Sequence, residues 1–469
     1  MLATLLLGVY LFYILTKNDC KKKYIYLLSV TAIMEVVNMR GYFIPTGDES
    51  GVSRSFVCEL LLFFYSIYYI KFKKLSLNSW MIAFSYLFLL FAAIGVVYEF
   101  AIPYENPIID HLNKLSWDGY AYGLTNKTPA KVYWPWSMFM LFKLYMVLVQ
   151  LVIIKSIITY ENLLLLLRLM DKFIRYAIIY AVFETICKVA FDLTIISDYV
   201  SIIILGVHDY EGMRADSYAL VGVGGEPSTL ARYLFFALLL SCFRKKYDSK
   251  YSKREFIITN FTAIVLMLLG HSMASLWLLV MYFVFAFIIK NNDHKTNYIK
   301  VFKITFLLVI FMSVTIILLT NWLETSDSYA AYRLNRILYT LDYLSSGVLV
   351  GYQYGGESSL ARLGSIYDVF YDFMCRPVFG LGAGVETSHG GLSSFLSEYG
   401  LIGLFLWIGL TFHRTRVYRI NAFFFIIWFF MMNLPLRMGV IPYEIYPLLV
   451  MEFTCLPNGI KLENEKCLV

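Results

Sequence analysis

Apolar stretches of roughly 15 to 25 residues, each long enough as a helix to cross a hydrocarbon layer of about 30 Å, recur along the whole chain. They fall at 1–16, 24–40, 55–70, 79–98, 134–154, 174–191, 227–243, 256–270, 272–289, 301–322, 392–411 and 420–436, with a shorter piece at 443–456. The pattern predicts an all-α, polytopic integral membrane protein of about 12 (11–13) transmembrane helices, one membrane domain over 1–469. Composition agrees, with 59% of the 469 residues hydrophobic and 16% charged, where soluble chains carry about 25% charge. A soluble enzyme, a disordered chain, a coiled coil and a nucleic-acid binder are thereby excluded. A β-barrel is excluded too, because its strands are short and alternate in polarity.

The net charge of +7 is informative through its distribution. Seven segments, from Lys17–Lys23 through Lys155–Arg175 and Arg244–Arg254 to Lys461–Lys466, hold 26 of the 40 Lys and Arg. Threading the chain through the apolar stretches puts all of them on one face, as the positive-inside rule requires of a cytoplasmic side. The other face receives segments 41–54, 99–133, 192–226 and 323–391, with 9 Lys and Arg against 19 Asp and Glu. Two of these, 192–226 and 323–391, are read as large periplasmic loops. The second is too long for a plain connection, and its amphipathic order at Tyr329–Tyr343 and Leu360–Phe373 predicts two short helices on the outer leaflet. The first helix has no basic segment before it and ends at one, so it is expected to be retained with its N-terminus outside. The seven cysteines offer no CxxC or Cys/His metal spacing, and no disulfide is expected within the outer loops.

Ionisable groups within apolar stretches are costly and mark candidate sites. Here they are Glu35, Arg40, Glu59, Lys143, Glu184, Lys188, Arg232, Glu398, Arg437, Glu444 and Glu452. Glu184 and Lys188 read as an i,i+4 pair on one helix. Arg232 stands about two turns into its helix, below Gly222-Val-Gly-Gly-Glu226-Pro-Ser228, and points to a buried carboxylate or to an anionic headgroup. Glu226 itself sits at a helix start, where a carboxylate is favoured as a cap; a general base is the alternative. Arg214, Arg362 and Arg376 lie among the few cations of an acidic face, and guanidinium pairs with phosphate through a bidentate fork. His389, in a glycine-rich setting from Gly380 to Gly391, is a candidate to take a proton near pH 7. No P-loop, dinucleotide fingerprint or Asp-x-Asp pair is present, so no cofactor, metal or nucleotide donor is expected.

The stretch from Ser359-Leu-Ala-Arg362 through Arg376-Pro-Val-Phe-Gly380-Leu-Gly, then His389, then Glu398-Tyr-Gly400-Leu-Ile-Gly403, resembles the conserved region of the O-antigen polymerase and O-antigen ligase superfamily. His389, Gly400 and Gly403 fit the ligase spacing, although Gly390 stands where ligases have a polar residue; Arg214 to Gly225 and Gly225-Glu-Pro-Ser228 are similar to the polymerase branch. The resemblance implies transfer of a glycan from an undecaprenyl-diphosphate carrier on the periplasmic face of a bacterial inner membrane. It implies Arg214, Arg232, Arg362 and Arg376 as diphosphate ligands and His389 or Glu226 as base. Implied partners are the lipid-linked oligosaccharides, the bilayer and a chain-length regulator protein, with no nucleic acid. Three activities stay open: a repeat-unit polymerase for O-antigen, capsule or exopolysaccharide; an O-antigen ligase acting on lipid A core; and a lipid-linked oligosaccharide flippase or other transporter.

The charge split makes a direct prediction. Reporter fusions at Ser249 and Asn292 read cytoplasmic and a fusion at Ser346 reads periplasmic; a cytoplasmic signal at Ser346 overturns the threading.

Overall fold

The computed structural model describes residues 2–37, 41–45, 51–73, 79–103, 134–157, 160–207, 213–214, 217–218, 220–270, 372–384 and 391–412, with single positions elsewhere. It is mostly helical, at 84%. Three of its helices are long and apolar enough to cross a membrane: Arg54–Phe72, Ser79–Ala101 and Trp134–Ile154. The apolar stretches expected at 272–289, 301–322, 420–436 and 443–456 lie essentially outside the described residues. Packing divides the chain into two interleaved compact units, residues 1–73 with 158–334, and residues 74–157 with 335–469.

The first unit contains α1 (Leu2–Thr16), α2 (Cys20–Val37), a two-stranded β1 (Tyr42–Pro45) and β2 (Gly51–Ser53), and α3 (Arg54–Lys73). It resumes with α6 (Tyr160–Thr185), a π-helical turn (Ile186–Ala190), α7 (Thr194–Leu205), a short hairpin of β3 (Met213–Arg214) and β4 (Ser217–Tyr218), α8 (Pro227–Tyr247) and α9 (Lys253–Leu269). Its core is built on α8, in which every residue from Thr229 to Cys242 is buried. A helix apolar on all sides has no solvent face to present, so it is enclosed, and α2, α6 and α9 pack around it.

The segments with the clearest apolar limits form helices close to expectation, Arg54–Lys73 and Ser79–Ala101 among them. Two segments differ. α6 begins at Tyr160, inside what the charge pattern reads as a basic connection, because Leu, Arg and Lys are all good helix formers and Leu166, Leu167 and Met170 enter the core. Likewise the segment 192–226 is largely structured, with a 12-residue helix ending on Gly206 in the left-handed conformation.

Several basic residues that the charge pattern assigns to one face close the α6–α8–α9 junction. Arg168 grips Asp248 in bidentate fashion, Nε to Oδ2 at 2.9 Å and Nη2 to Oδ1 at 2.6 Å. Arg244 reaches both Asp248, at 2.9 Å, and Asp171, at 2.5 Å. Arg175 joins Asp171 to Glu255, at 2.9 and 3.2 Å. Ser252 and Glu255 form a capping box at the start of α9. The hydrogen bond from Arg168, with Arg244 behind it, holds the Asp248 carboxyl far below the usual carboxylate range despite the cost of burial.

The second unit contains α4 (Ser79–Ala101), α5 (Trp134–Ile157), a turn at 376–384, and α10 (Gly391–Phe412). α10 is broken at Gly400, whose φ of 62° and ψ of −167° interrupt the helix. The turn closes this break. Leu381 N–H donates to Ser397 O at 2.6 Å and Gly382 N–H to Glu398 O at 2.9 Å, while Leu401 and Ile402 donate to Pro377 O and Val378 O at 2.8 and 3.3 Å. A Cβ at position 400 would stand 2.4 Å from Val378 O, so glycine is required by contact as well as by φ. The described glycines of this stretch therefore make a tight fit; of the two outer-leaflet helices expected in 323–391, almost all lies outside the described residues.

Asp248 supplies the test. Its depressed pKa means that the network's stabilisation is fully present above the unfolded carboxylate value of about 3.9 and is lost as pH falls through the folded value below it. Asp248→Asn should lower stability by about 1–3 kcal/mol at neutral pH, since Arg168, which is partly solvated, loses its carboxylate and Arg244 keeps only Asp171. Thermal unfolding in detergent, compared at pH 7 and pH 5 with little change expected between them, measures it.

Candidate functional site

In the first unit, the elbow between the β3–β4 hairpin and α8 is assembled around a buried carboxylate. Glu184 lies at the end of α6, and the π turn that follows continues the chain one residue wide of the α-helical path, with Phe191 N–H reaching Ile186 O at 3.2 Å. π turns of this kind recur at functional sites. Lys188 lies in it and donates to Glu184 Oε1 at 3.0 Å, both side chains buried. Glu184 also accepts two successive backbone N–H groups, Val221 to Oε1 at 3.0 Å and Gly222 to Oε2 at 2.7 Å. Consecutive amides turned to one point make an anion-binding nest, and here the protein's own carboxylate fills it. Gly222, at φ +59°, lets the chain bend under the Tyr233 ring; a Cβ there would stand 2.1 Å from the Tyr233 hydroxyl.

The elbow delivers Glu226 and Arg232. Glu226 is the N-cap residue of α8 in extended conformation, with Pro227 as the first helical residue. Its carboxylate makes no capping hydrogen bond to the helix backbone. It is exposed and accepts from the Ser228 hydroxyl at 3.2 Å. Arg232, six positions further, is 2% exposed. Six residues at about 100° each set it on a different face from Glu226, one group toward solvent and the other toward the interior.

The remaining predicted residues are distributed. Arg214 lies in the hairpin paired with Ser217, close in sequence to the elbow. Arg362 and His389 lie outside the described residues. Arg376 belongs to the second unit, where it is engaged by the end of α4: Nε lies 3.6 Å from Glu99 Oε2, Nη2 donates to Ile102 O at 2.8 Å, and the guanidinium stands 4.8 Å from the Tyr98 ring centroid. Arg376 is thus held by a buried carboxylate and a backbone carbonyl, with a cation–π contact added. Beside it, the buried Glu398 accepts the Gly384 N–H at 3.3 Å and so anchors the base of the segment that leads to His389.

The i,i+4 pair of Glu184 and Lys188 is present as the sequence suggests, but the further partners of Glu184 and Glu398 are not foreseen from it. Their partners are backbone amides, which no residue pattern displays. Among the described residues there is no cluster of three or more His, Cys, Asp and Glu suited to a metal ion. Comparison with protein-family models, with curated proteins and with solved structures gives no match.

If Glu184 holds the elbow, Glu184→Gln turns an amide NH2 against one of two backbone donors and leaves Lys188 without its carboxylate. Hydrogen exchange at residues 219–226 should accelerate at least tenfold, as local opening becomes cheaper by more than about 1.4 kcal/mol. Unchanged exchange would show that the elbow is held by other contacts.

Proposed function

We propose that this chain is a metal-independent glycosyltransferase of about twelve membrane-spanning helices, which joins undecaprenyl-diphosphate-linked oligosaccharide repeat units on the periplasmic face of a bacterial inner membrane. The reading rests on the resemblance over residues 359–403, on the split of basic residues between the two faces, and on the polarity of α8. That last observation carries it at the level of residues. Glu226 stands at one end of α8 and the Arg244 ion network at the other, 18 residues or about 27 Å away, which is close to a hydrocarbon thickness, with Arg232 buried between them.

In this scheme the acceptor hydroxyl attacks the anomeric carbon of the donor glycan, and the bond from that carbon to the diphosphate oxygen breaks. The undecaprenyl diphosphate leaves with the bonding pair, and the hydroxyl proton passes to His389 or Glu226. Arg214, Arg232 and Arg362 stabilise the charge gathering on the departing diphosphate; Arg376, engaged by Glu99 and Ile102, would have to exchange those partners to join them. The donor is already activated, so no nucleotide is consumed.

One observation favours a second reading, the lipid-linked oligosaccharide flippase. The break in α10 at Gly400 is the kind of interrupted helix that transporters place at their substrate sites.

Glycan profiles of mutant cells separate the two. For a polymerase, His389→Ala costs about 10²–10⁴-fold in rate and leaves single repeat units on the cell surface. Arg232→Lys, which keeps charge and loses the fork, shortens the polymer at unchanged protein abundance. Lipid-linked units trapped on the cytoplasmic leaflet would instead identify a flippase, and long chains at native expression of both variants would remove both residues from the mechanism.

A further inference from the structure

The helix α7 has its polarity reversed. On a helical wheel Thr194, Ser197, Asp198 and Ser201 share one face, and Ile195, Ile196, Tyr199 and Ile203 share the opposite one. A helix at an aqueous surface turns its hydroxyls outward and its isoleucines inward. Here Ser197 and Ser201 are 1% and 0% exposed, while Ile195, Tyr199 and Ile203 are 71%, 64% and 59% exposed. The small serine stripe lets α7 lie close against the protein, as small residues do between helices in lipid, and α1 is the helix it packs on.

Length and anchoring fix its attitude. Twelve residues make about 18 Å of helix, too short to cross a bilayer core. Both ends are tied to the same end of the unit. At the start, Leu193 N–H donates to Cys187 O, in the π turn that terminates α6, at 2.7 Å. At the finish, Leu205 O accepts from Arg54 Nη2 at 2.5 Å, and Arg54 Nε donates to Thr4 at 3.0 Å. Arg54 opens α3 and Thr4 lies in the first turn of α1. The helix therefore runs across the end of the unit, between the finish of α6 and the beginnings of α1 and α3.

We propose that α7 is an interfacial helix of the bilayer, lying in the membrane plane with Ile195, Ile196, Tyr199 and Ile203 dissolved among lipid acyl chains. Three features name acyl chains as the occupant. The outward face is apolar without a charge. It continues onto exposed apolar residues of α1 (Leu2, Leu5, Leu6, Val9) and of the chain leading into α7 (Ile186, Val189, Phe191, Leu193). And this surface belongs to a chain whose described residues include three helices of spanning length and apolarity. Segment 192–226, read from sequence as an aqueous loop, thus begins inside the lipid surface. The inference stands on these contacts and not on the reaction proposed above.

The test uses the full chain with its native cysteines, reconstituted in vesicles of phosphatidylethanolamine and phosphatidylglycerol. A fluorescent amino acid is incorporated singly at 195, 199 and 203, at Val9 as a lipid-facing reference, and at the exposed Asp192. Dibrominated lipid should quench 195, 199 and 203 to the extent it quenches position 9 and several-fold more than it quenches 192, while aqueous iodide shows the reverse order. Iodide quenching at 195, 199 and 203 that matches position 192 overturns the proposal. Protection from both quenchers also overturns it, since the face would then be covered by protein, from this chain or a second copy.

Discussion

Backbone amides that leave regular secondary structure away from water must find an acceptor, and in this chain buried carboxylates supply several. Glu184 receives the N–H groups of Val221 and Gly222, and Glu398 receives that of Gly384. An unsatisfied amide in such surroundings costs about 1–3 kcal/mol, so each acid determines where an irregular glycine-rich segment can run. Both segments lead within a few residues to a candidate catalytic group, Glu226 in one unit and His389 in the other. The acids thus fix the segments next to the candidate residues, and Lys188 offsets the buried charge in the first case.

The first unit is organised as a wholly enclosed helix with a polar cluster at each end. Along α8 the side chains from Leu230 to Phe243 are almost all aliphatic or aromatic, and they need neighbours on every side. At the Arg244 end, three arginines and three acids tie α6, α8 and α9 together. About one turn in from that network, the hydrogen-bonded trio of Ser241, Asn260 and Tyr282 adds a buried polar link among apolar contacts. Polar links of this kind set the register of helices that apolar packing alone would leave free to slide.

What the sequence made legible follows from what kind of partner a residue has. Helices such as α3 and α4, whose apolar runs end at charges or turn residues, were readable to within a few positions. Pro227 as the first residue of α8 was readable from its fixed φ. α6 was not, because its first turns mix leucine with basic residues that composition assigns to a connection. α7 was not, because its apolar face looks outward and its hydroxyls inward, the opposite of the pattern that reports a surface helix. The candidate site was legible as residue types and only partly as geometry. Glu226 and Arg232 occupy one helix end, whereas the π turn and the carboxylate clamps depend on chain segments tens of residues apart.

The break in α10 bears on the order in which the chain is assembled. The residues that seal it, 377–382, precede their partners at 397–402 by only about one helical hairpin of chain, so loop closure costs them little entropy. They can pair as soon as both have been synthesised. The contacts of Arg376 with Glu99 and Ile102 span more than half the chain and must come later. The sealed break is then a local module, whereas its contacts with α4 depend on a far longer closure of the chain.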